Sequence, residues 1–145
     1  MICDKIDDCI EVFEKPLENC TDPKGGKSTF RLVNTERKNF SKINFEDCVY
    51  EGKENETKCD YAFIYDNVIF YVELKGSDVR KGYAQLSATI AETSKCFPEK
   101  AIKARMVVSK NNAPNIARKS VGYKKLIRKT TDIIVKQKVL IEKIS

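Results

Sequence analysis

The sequence predicts an α/β fold: a single domain over residues 1–145, with helices flanking a central mixed sheet. Three observations lead there. Two runs rich in β-branched and aromatic residues, 61–65 and 68–72, are separated only by Asp66-Asn67, and two residues of that kind between strands make a tight hairpin. Both runs are apolar on both faces, which places their strands centrally, covered on two sides. After the hairpin the chain alternates helix, strand, helix, strand, the order of a layered α/β sandwich.

Each element follows from its pattern. In residues 3–14, Ile6, Cys9, Ile10 and Phe13 fall at helical spacing and predict a short amphipathic helix ended by Pro16. Residues 20–27 read as a loop, 30–34 as a strand, 43–50 as a second strand and 51–56 as a polar turn. Residues 79–97 read as a helix with Val79, Tyr83, Leu86 and Ile90 on one stripe and Pro98 just beyond. Then come a strand at 102–109, a basic helix at 114–129 weakened by Gly122, and a strand at 133–141.

Composition sets bounds. With 145 residues, 41% hydrophobic and 33% charged, the chain suits one domain with a packed core. No stretch approaches the ~20 apolar residues of a membrane span. The first residues carry neither a basic nor an apolar leader region. The expectation is an intracellular, cytoplasmic protein with no membrane partner, its six cysteines reduced. There is no histidine and no Cys-x-x-Cys pair. That removes histidine acid–base schemes and serine or cysteine triads of the usual kind, and argues against structural zinc.

Two local signals are set aside. Gly25-Gly26-Lys27-Ser28-Thr29 resembles the tail of a phosphate-binding loop, but Thr21 stands where that motif needs glycine and no good strand precedes it. The sequon Asn55-Glu56-Thr57 means little in an intracellular chain.

Charge is divided unevenly. Residues 100–145 hold 13 Lys and Arg against Asp132 and Glu142, and residues 1–99 hold 14 basic and 19 acidic side chains, so +11 and −5 give the net +6. A basic half beside an acidic half suggests a polyanion partner, against the plainer reading of a solvated lysine-rich surface. Arg118, Lys119, Lys124, Lys125, Arg128 and Lys129 cluster in one segment and would neutralise phosphates without reading sequence.

The chemistry lies at the hairpin. With a two-residue turn, Tyr65 faces Val68, so Asp60 faces Glu73, and Asp60, Glu73 and Lys75 project from one side. Opposed side chains sit ~5 Å apart, and two carboxylates that close repel unless a cation lies between them. Solvated strand ends are the plainer alternative, but Tyr71, Val72 and Leu74 surround Glu73 with apolar residues. Two readings stand for Asp47. Strand 43–50 can pair with 58–65 so that Cys48 meets Cys59 and Asp47 meets Asp60, or Asp47 is a surface acid and both cysteines fill core.

Asp60, a twelve-residue gap and Glu73-Leu74-Lys75 resemble the core of the PD-(D/E)XK nuclease superfamily, with Cys59 where the motif's name has proline. Gly76 and Gln85-Leu86 are similar to its resolvase-type branch. The resemblance spans roughly residues 59–109. It implies a restriction-endonuclease-like sandwich and a metal-dependent hydrolase of nucleic-acid phosphodiesters, DNA favoured over RNA and endonuclease the expected mode. It implies Mg²⁺ or Mn²⁺ held by Asp60 and Glu73, Lys75 orienting or activating the attacking water, and Gln85 beside the site. Nucleic-acid contacts would come from Lys119, Lys124, Lys125, Arg128 and Lys129, and a homodimer is left open. The family often has a further acid on its first helix, for which Asp8, Glu11 and Glu14 are candidates. The competing reading is the same fold with an inactive site, binding nucleic acid or a protein.

Overall fold

The computed structural model describes residues 1–22, 25–52, 58–110 and 118–144. The sequon and the start of the expected basic helix, including Pro114 and Ile116, lie outside them. In chain order the elements are α1 (Ile2–Asp8), β1 (Ile10–Phe13), β2 (Leu17–Thr21), β3 (Thr29–Val33), β4 (Phe40–Asn44), a five-residue π-helical turn (Phe45–Val49), β5 (Tyr61–Tyr65), β6 (Val68–Lys75), α2 (Val79–Thr93) with a 3₁₀ extension (Ser94–Cys96), β7 (Ala101–Val108), α3 (Val121–Ile127), β8 (Asp132–Gln137) and β9 (Val139–Lys143).

The expected hairpin is present. β5 and β6 pair antiparallel from Tyr65↔Val68 to Tyr61↔Val72, with Asp66 in the left-handed conformation at φ 55°. Both strands are central in a six-stranded mixed sheet, β1-β4-β5-β6-β7-β8, antiparallel up to β6 and parallel from β6 to β8. One face is covered by α1 and α2, which bury Ile6, Val79, Tyr83, Leu86 and Ile90 against Ile43, Ile69, Tyr71 and Met106. Asp78 caps α2, its side chain accepting the Lys81 N–H at 3.0 Å. α3 lies beside α2, with Tyr83 and Tyr123 edge to face at 4.8 Å between centroids.

The other face is covered by a second sheet, β2-β3-β9, which the sequence reading did not contain. Phe30, Leu32, Cys20 and Leu140 from that layer pack on Phe63, Phe70, Val72 and Leu74. β2 alternates exposed and buried positions, so Glu18-Asn19-Cys20, which looked a poor strand, serves as a half-covered edge. Expected helix 3–14 is in fact α1 followed by β1; its residues from Ile10 on pair with Ile43–Phe40 instead of continuing the turn. The expected final strand 133–141 is two strands, broken where Lys138 adopts φ 69°. β8 stays in the large sheet and β9 crosses to β3.

Two disulfides are formed, Cys3–Cys96 and Cys9–Cys48, while Cys20 and Cys59 are free and buried. This corrects the expectation of reduced thiols for four of the six. The bonds tie α1 to the end of α2 and to the π-helical turn. No described helix is long and apolar enough to cross a membrane.

Candidate acidic site

The ladder of β5 and β6 ends at Tyr61↔Val72. One step out, the Asp60 N–H goes to the Val72 carbonyl at 3.2 Å, so the strands diverge there. The Asp60 carboxylate fills the gap: Oδ2 accepts the Leu74 N–H at 2.8 Å. The Glu73 carboxyl lines the same pocket and feels the Asp60 charge. Asp60 is 8% and Glu73 1% exposed.

Lys75 Nζ lies 3.6 Å from Glu73 Oε2. The remaining Glu73 oxygen, Oε1, is buried and finds no hydrogen-bond partner among the described residues. Burial, then the Asp60 charge, push the Glu73 carboxyl well above its ordinary range, against the pull of Lys75. Burial also raises Asp60 to about 6, while the Leu74 N–H opposes it.

Gln85 reaches the same place from α2. The helix packs closely on the sheet at Gly82, where any Cβ would overlap the Met106 sulfur and approach Lys75 Cγ at 3.3 Å. One turn on, Gln85 Nε2 donates to the Lys58 carbonyl at 3.1 Å, and its Oε1 is buried without a partner among the described residues. The four expected residues, Asp60, Glu73, Lys75 and Gln85, thus line one small pocket of about 120 Å³.

Two carboxylates join them that the sequence reading missed, Asp22 and Glu46. Glu46 sits on the π-helical turn, whose start is capped by Asn44 accepting the Asp47 N–H at 2.9 Å. It pairs with the buried Lys58 ammonium at 3.5 Å. Asn44 followed by two acids is a helix-start signature that a strand assignment for 43–50 concealed. Asp22 follows β2. A Cβ at Gly26 would overlap its carboxylate, so glycine there lets the loop close on it. Ser28 Oγ then donates to the Lys75 carbonyl at 2.8 Å, anchoring the loop beside the site. The residues after this loop form β3, a strand, where a phosphate-binding loop would start a helix.

Of the two readings for Asp47, the structure agrees with the surface acid, for Asp47 is exposed, and overturns the other. β4 pairs with β5 as Asn44↔Tyr61 and Ile43↔Ala62, two residues away from the register that opposed Asp47 to Asp60. Glu46 rather than Asp47 lines the pocket, and Cys48 bonds Cys9 instead of adjoining Cys59. Asp8, Glu11 and Glu14 are exposed on α1, β1 and the segment after it, and none lines the pocket.

The donor set suits a hard divalent cation. Among the described residues no group of three or more His, Cys, Asp or Glu is arranged to hold a metal ion. Mg²⁺, however, is bound through one or two carboxylates plus water and substrate oxygens. The Asp60–Glu73 pair, with an unpartnered Glu73 oxygen, offers that number.

The expected nucleic-acid residues divide. Lys119 and Lys124 are exposed. Lys125, Arg128 and Lys129 line a separate groove of about 510 Å³ between α2 and α3.

Compared with protein-family models, with curated proteins and with solved structures, the chain matches none of them.

Proposed function

We propose that this chain is a metal-dependent nuclease hydrolysing phosphodiester bonds of nucleic acid, a DNA endonuclease of PD-(D/E)XK type on a restriction-endonuclease-like, resolvase-like sandwich. The observation that carries it is the Asp60–Glu73 pair. These are two buried carboxyls lining one pocket, one oxygen without a partner among the described residues, and a lysine ammonium 3.6 Å from Glu73. Buried charge needs compensation, and Lys75 supplies one positive charge to two acids.

Asp60 and Glu73 would hold Mg²⁺ or Mn²⁺, which when bound polarises a phosphoryl oxygen and lowers the pKa of water. The chain's own groups divide the remaining work. Lys75 places its ammonium to stabilise charge developing on the phosphate or to orient the nucleophile. Gln85 lines the pocket with an acceptor, Oε1, that is buried without a partner among the described residues and would take an O–H from a bound water. Asp22 and Glu46 add negative charge at the same pocket. An anionic substrate approaches such a site only when a cation offsets it. Glu46 takes the place of the further acid sought on the first helix.

The test is incubation with plasmid, linear and branched DNA, with Mn²⁺ or with chelator. Cleavage in Mn²⁺ that chelator abolishes is expected. Binding without cleavage of any of these in Mg²⁺ or Mn²⁺ would make the chain an inactive module of the same fold.

A further inference from the structure

We infer that the groove between α2 and α3 seats the backbone of a single nucleic-acid strand running from the acidic pocket, so that the site acts on single-stranded segments of a polynucleotide. The inference rests on the nuclease reading and adds the form of the substrate to it.

The groove and the pocket share helix α2. Gln85 faces the pocket, while Ala84, Ala88 and Ala91 form the groove floor. Successive helical residues are turned ~100° apart at 3.6 per turn, so site and groove lie on adjoining flanks of one helix. From Ala84 to Ala91 the floor runs about 10 Å at ~1.5 Å per residue.

The rim is cationic and uniform in sign. Lys125 on α3 and Arg128 and Lys129 in the turn that follows it supply the rim, and among the described residues no Asp or Glu lines the groove. An anion repelled by the carboxylates of the pocket meets only positive charge here. Helix α2 contributes to both, so a strand crossing it would pass from one to the other.

The chemistry of the floor favours one strand over two. At the groove's end Gly122 abuts Ala84, where a Cβ would come within 2.9 Å of the Ala84 backbone. The two helices therefore touch at that end, and the groove is a crease on the surface whose cationic rim stands over an alanine floor. The floor is methyl groups, and beside it Val121 is 67% exposed. A single strand exposes apolar sugar and base faces that can cover such a surface, whereas a duplex hides its base faces by stacking. Among the described residues no aromatic side chain lines the groove, so binding should be sequence-neutral and governed by salt.

The test measures binding of labelled oligothymidylate, and of its duplex with oligoadenylate, to Asp60→Asn protein in chelator across a salt series. Reversing Lys125, Arg128 and Lys129 to glutamate should flatten the single-strand log–log salt slope by roughly 2, at ~0.7 per phosphate contact. Ala91→Trp, at an exposed floor position, should obstruct the groove without changing charge and weaken single-strand binding several-fold, leaving the duplex little affected. Lys124→Glu, which lies outside the groove lining, should cost less than any one groove reversal. The inference is overturned if Ala91→Trp binds oligothymidylate like the parent, if Lys124→Glu is as damaging as the groove changes, or if an acidic helical peptide displaces the strand and binds more tightly. Wild-type cleavage in Mn²⁺ keeps the two readings apart. Cleavage that survives the groove variants unchanged sinks the groove and spares the nuclease. Groove-dependent binding without any cleavage does the reverse.

Discussion

Asp60 Oδ2 accepts the backbone N–H of Leu74 at 2.8 Å, where the two central strands part. The side chain therefore acts as a strand end as well as a ligand candidate. Asp60→Ala should orphan that buried N–H, costing ~1–3 kcal/mol, offset in part by loss of a desolvated charge. Asp60→Asn keeps an acceptor and should fold at least as well as wild type at neutral pH. Cleavage in Mn²⁺ should nonetheless fall ~10²-fold or more in both, as in Glu73→Ala and Lys75→Ala. Thermal denaturation and plasmid cleavage measure the two effects separately. A Lys75→Ala protein that cuts at the wild-type rate would remove Lys75 from the site.

The same pair sets a pH dependence of stability. Burial raises Asp60 from an ordinary 3.8 to about 6 and raises Glu73 well above its ordinary range. The folded state thus binds more protons than the unfolded one over that interval. A raised pKa contributes stability that is fully present below the unfolded value and lost as pH rises through the folded value. In chelator, Tm should therefore fall between about pH 4 and pH 6 from Asp60, and further above that from Glu73. The Asp60→Asn, Glu73→Gln double variant should be flatter across the range. Saturating Mn²⁺ should restore stability at neutral pH in wild type alone. A wild-type Tm that rises from pH 5 to 8 in chelator, by as much as the double variant's, would show that the pair is not buried as described.

Glu46 and Asp47 are neighbours with different expected roles. Glu46 lines the pocket and pairs with Lys58 at 3.5 Å, whereas Asp47 lies outside the lining. Groups that orient a metal's ligands typically alter affinity 10–100-fold when removed. Glu46→Gln should weaken Mn²⁺ binding by roughly that factor, and Asp47→Asn should leave it within twofold. Calorimetric titration distinguishes them, and equal effects of the two substitutions would cancel the assignment.

The Cys9–Cys48 and Cys3–Cys96 bonds close sequence separations of 39 and 93 residues. Loop-closure entropy gives each roughly 4–5 kcal/mol. Dithiothreitol, or Cys9→Ser with Cys48→Ser, should lower Tm, and the reduced protein should lose order first in α1 and the π-helical turn. Alkylation of denatured, unreduced protein should label Cys20 and Cys59 alone. Six labelled cysteines, or a Tm indifferent to dithiothreitol, would contradict the bonds.

Legibility followed the range of the interactions involved. The hairpin was readable because its turn is two residues long and its strands are apolar on both faces, so register and central placement are local consequences. Asp60, Glu73 and Lys75 followed from that register, whereas Gln85 came only from the resemblance to the resolvase-type branch. The second sheet was not readable. β9 joins β3 across more than a hundred residues, and β2 carries Glu18, whose burial depends on Lys15 at 2.6 Å and Lys42 at 2.7 Å. Glu46 was hidden because Phe45, Cys48 and Val49 are as apolar as a strand, and only the Asn44 cap marks the turn. Helix 3–14 failed because Ile10 and Phe13 suit an edge strand as well as a helix once β4 is available to pair.

Lys138 is the single residue between β8 and β9. Its N–H bonds the Val108 carbonyl at 2.7 Å and its carbonyl takes the Thr29 N–H at 2.9 Å. It thereby links the end of one layer to the start of β3, next to Ser28, which fastens the Lys75 carbonyl. Contacts of such long sequence separation carry a large loop-closure cost and form slowly. During synthesis, the hairpin and α2 can assemble while the ribosome is still adding β8. The Lys138 link beside Ser28 waits until β9 has been added. Before then the second layer has β2 and β3 but lacks β9, so the apolar surface that Leu140 and Ile144 cover in the finished fold is open to chaperones.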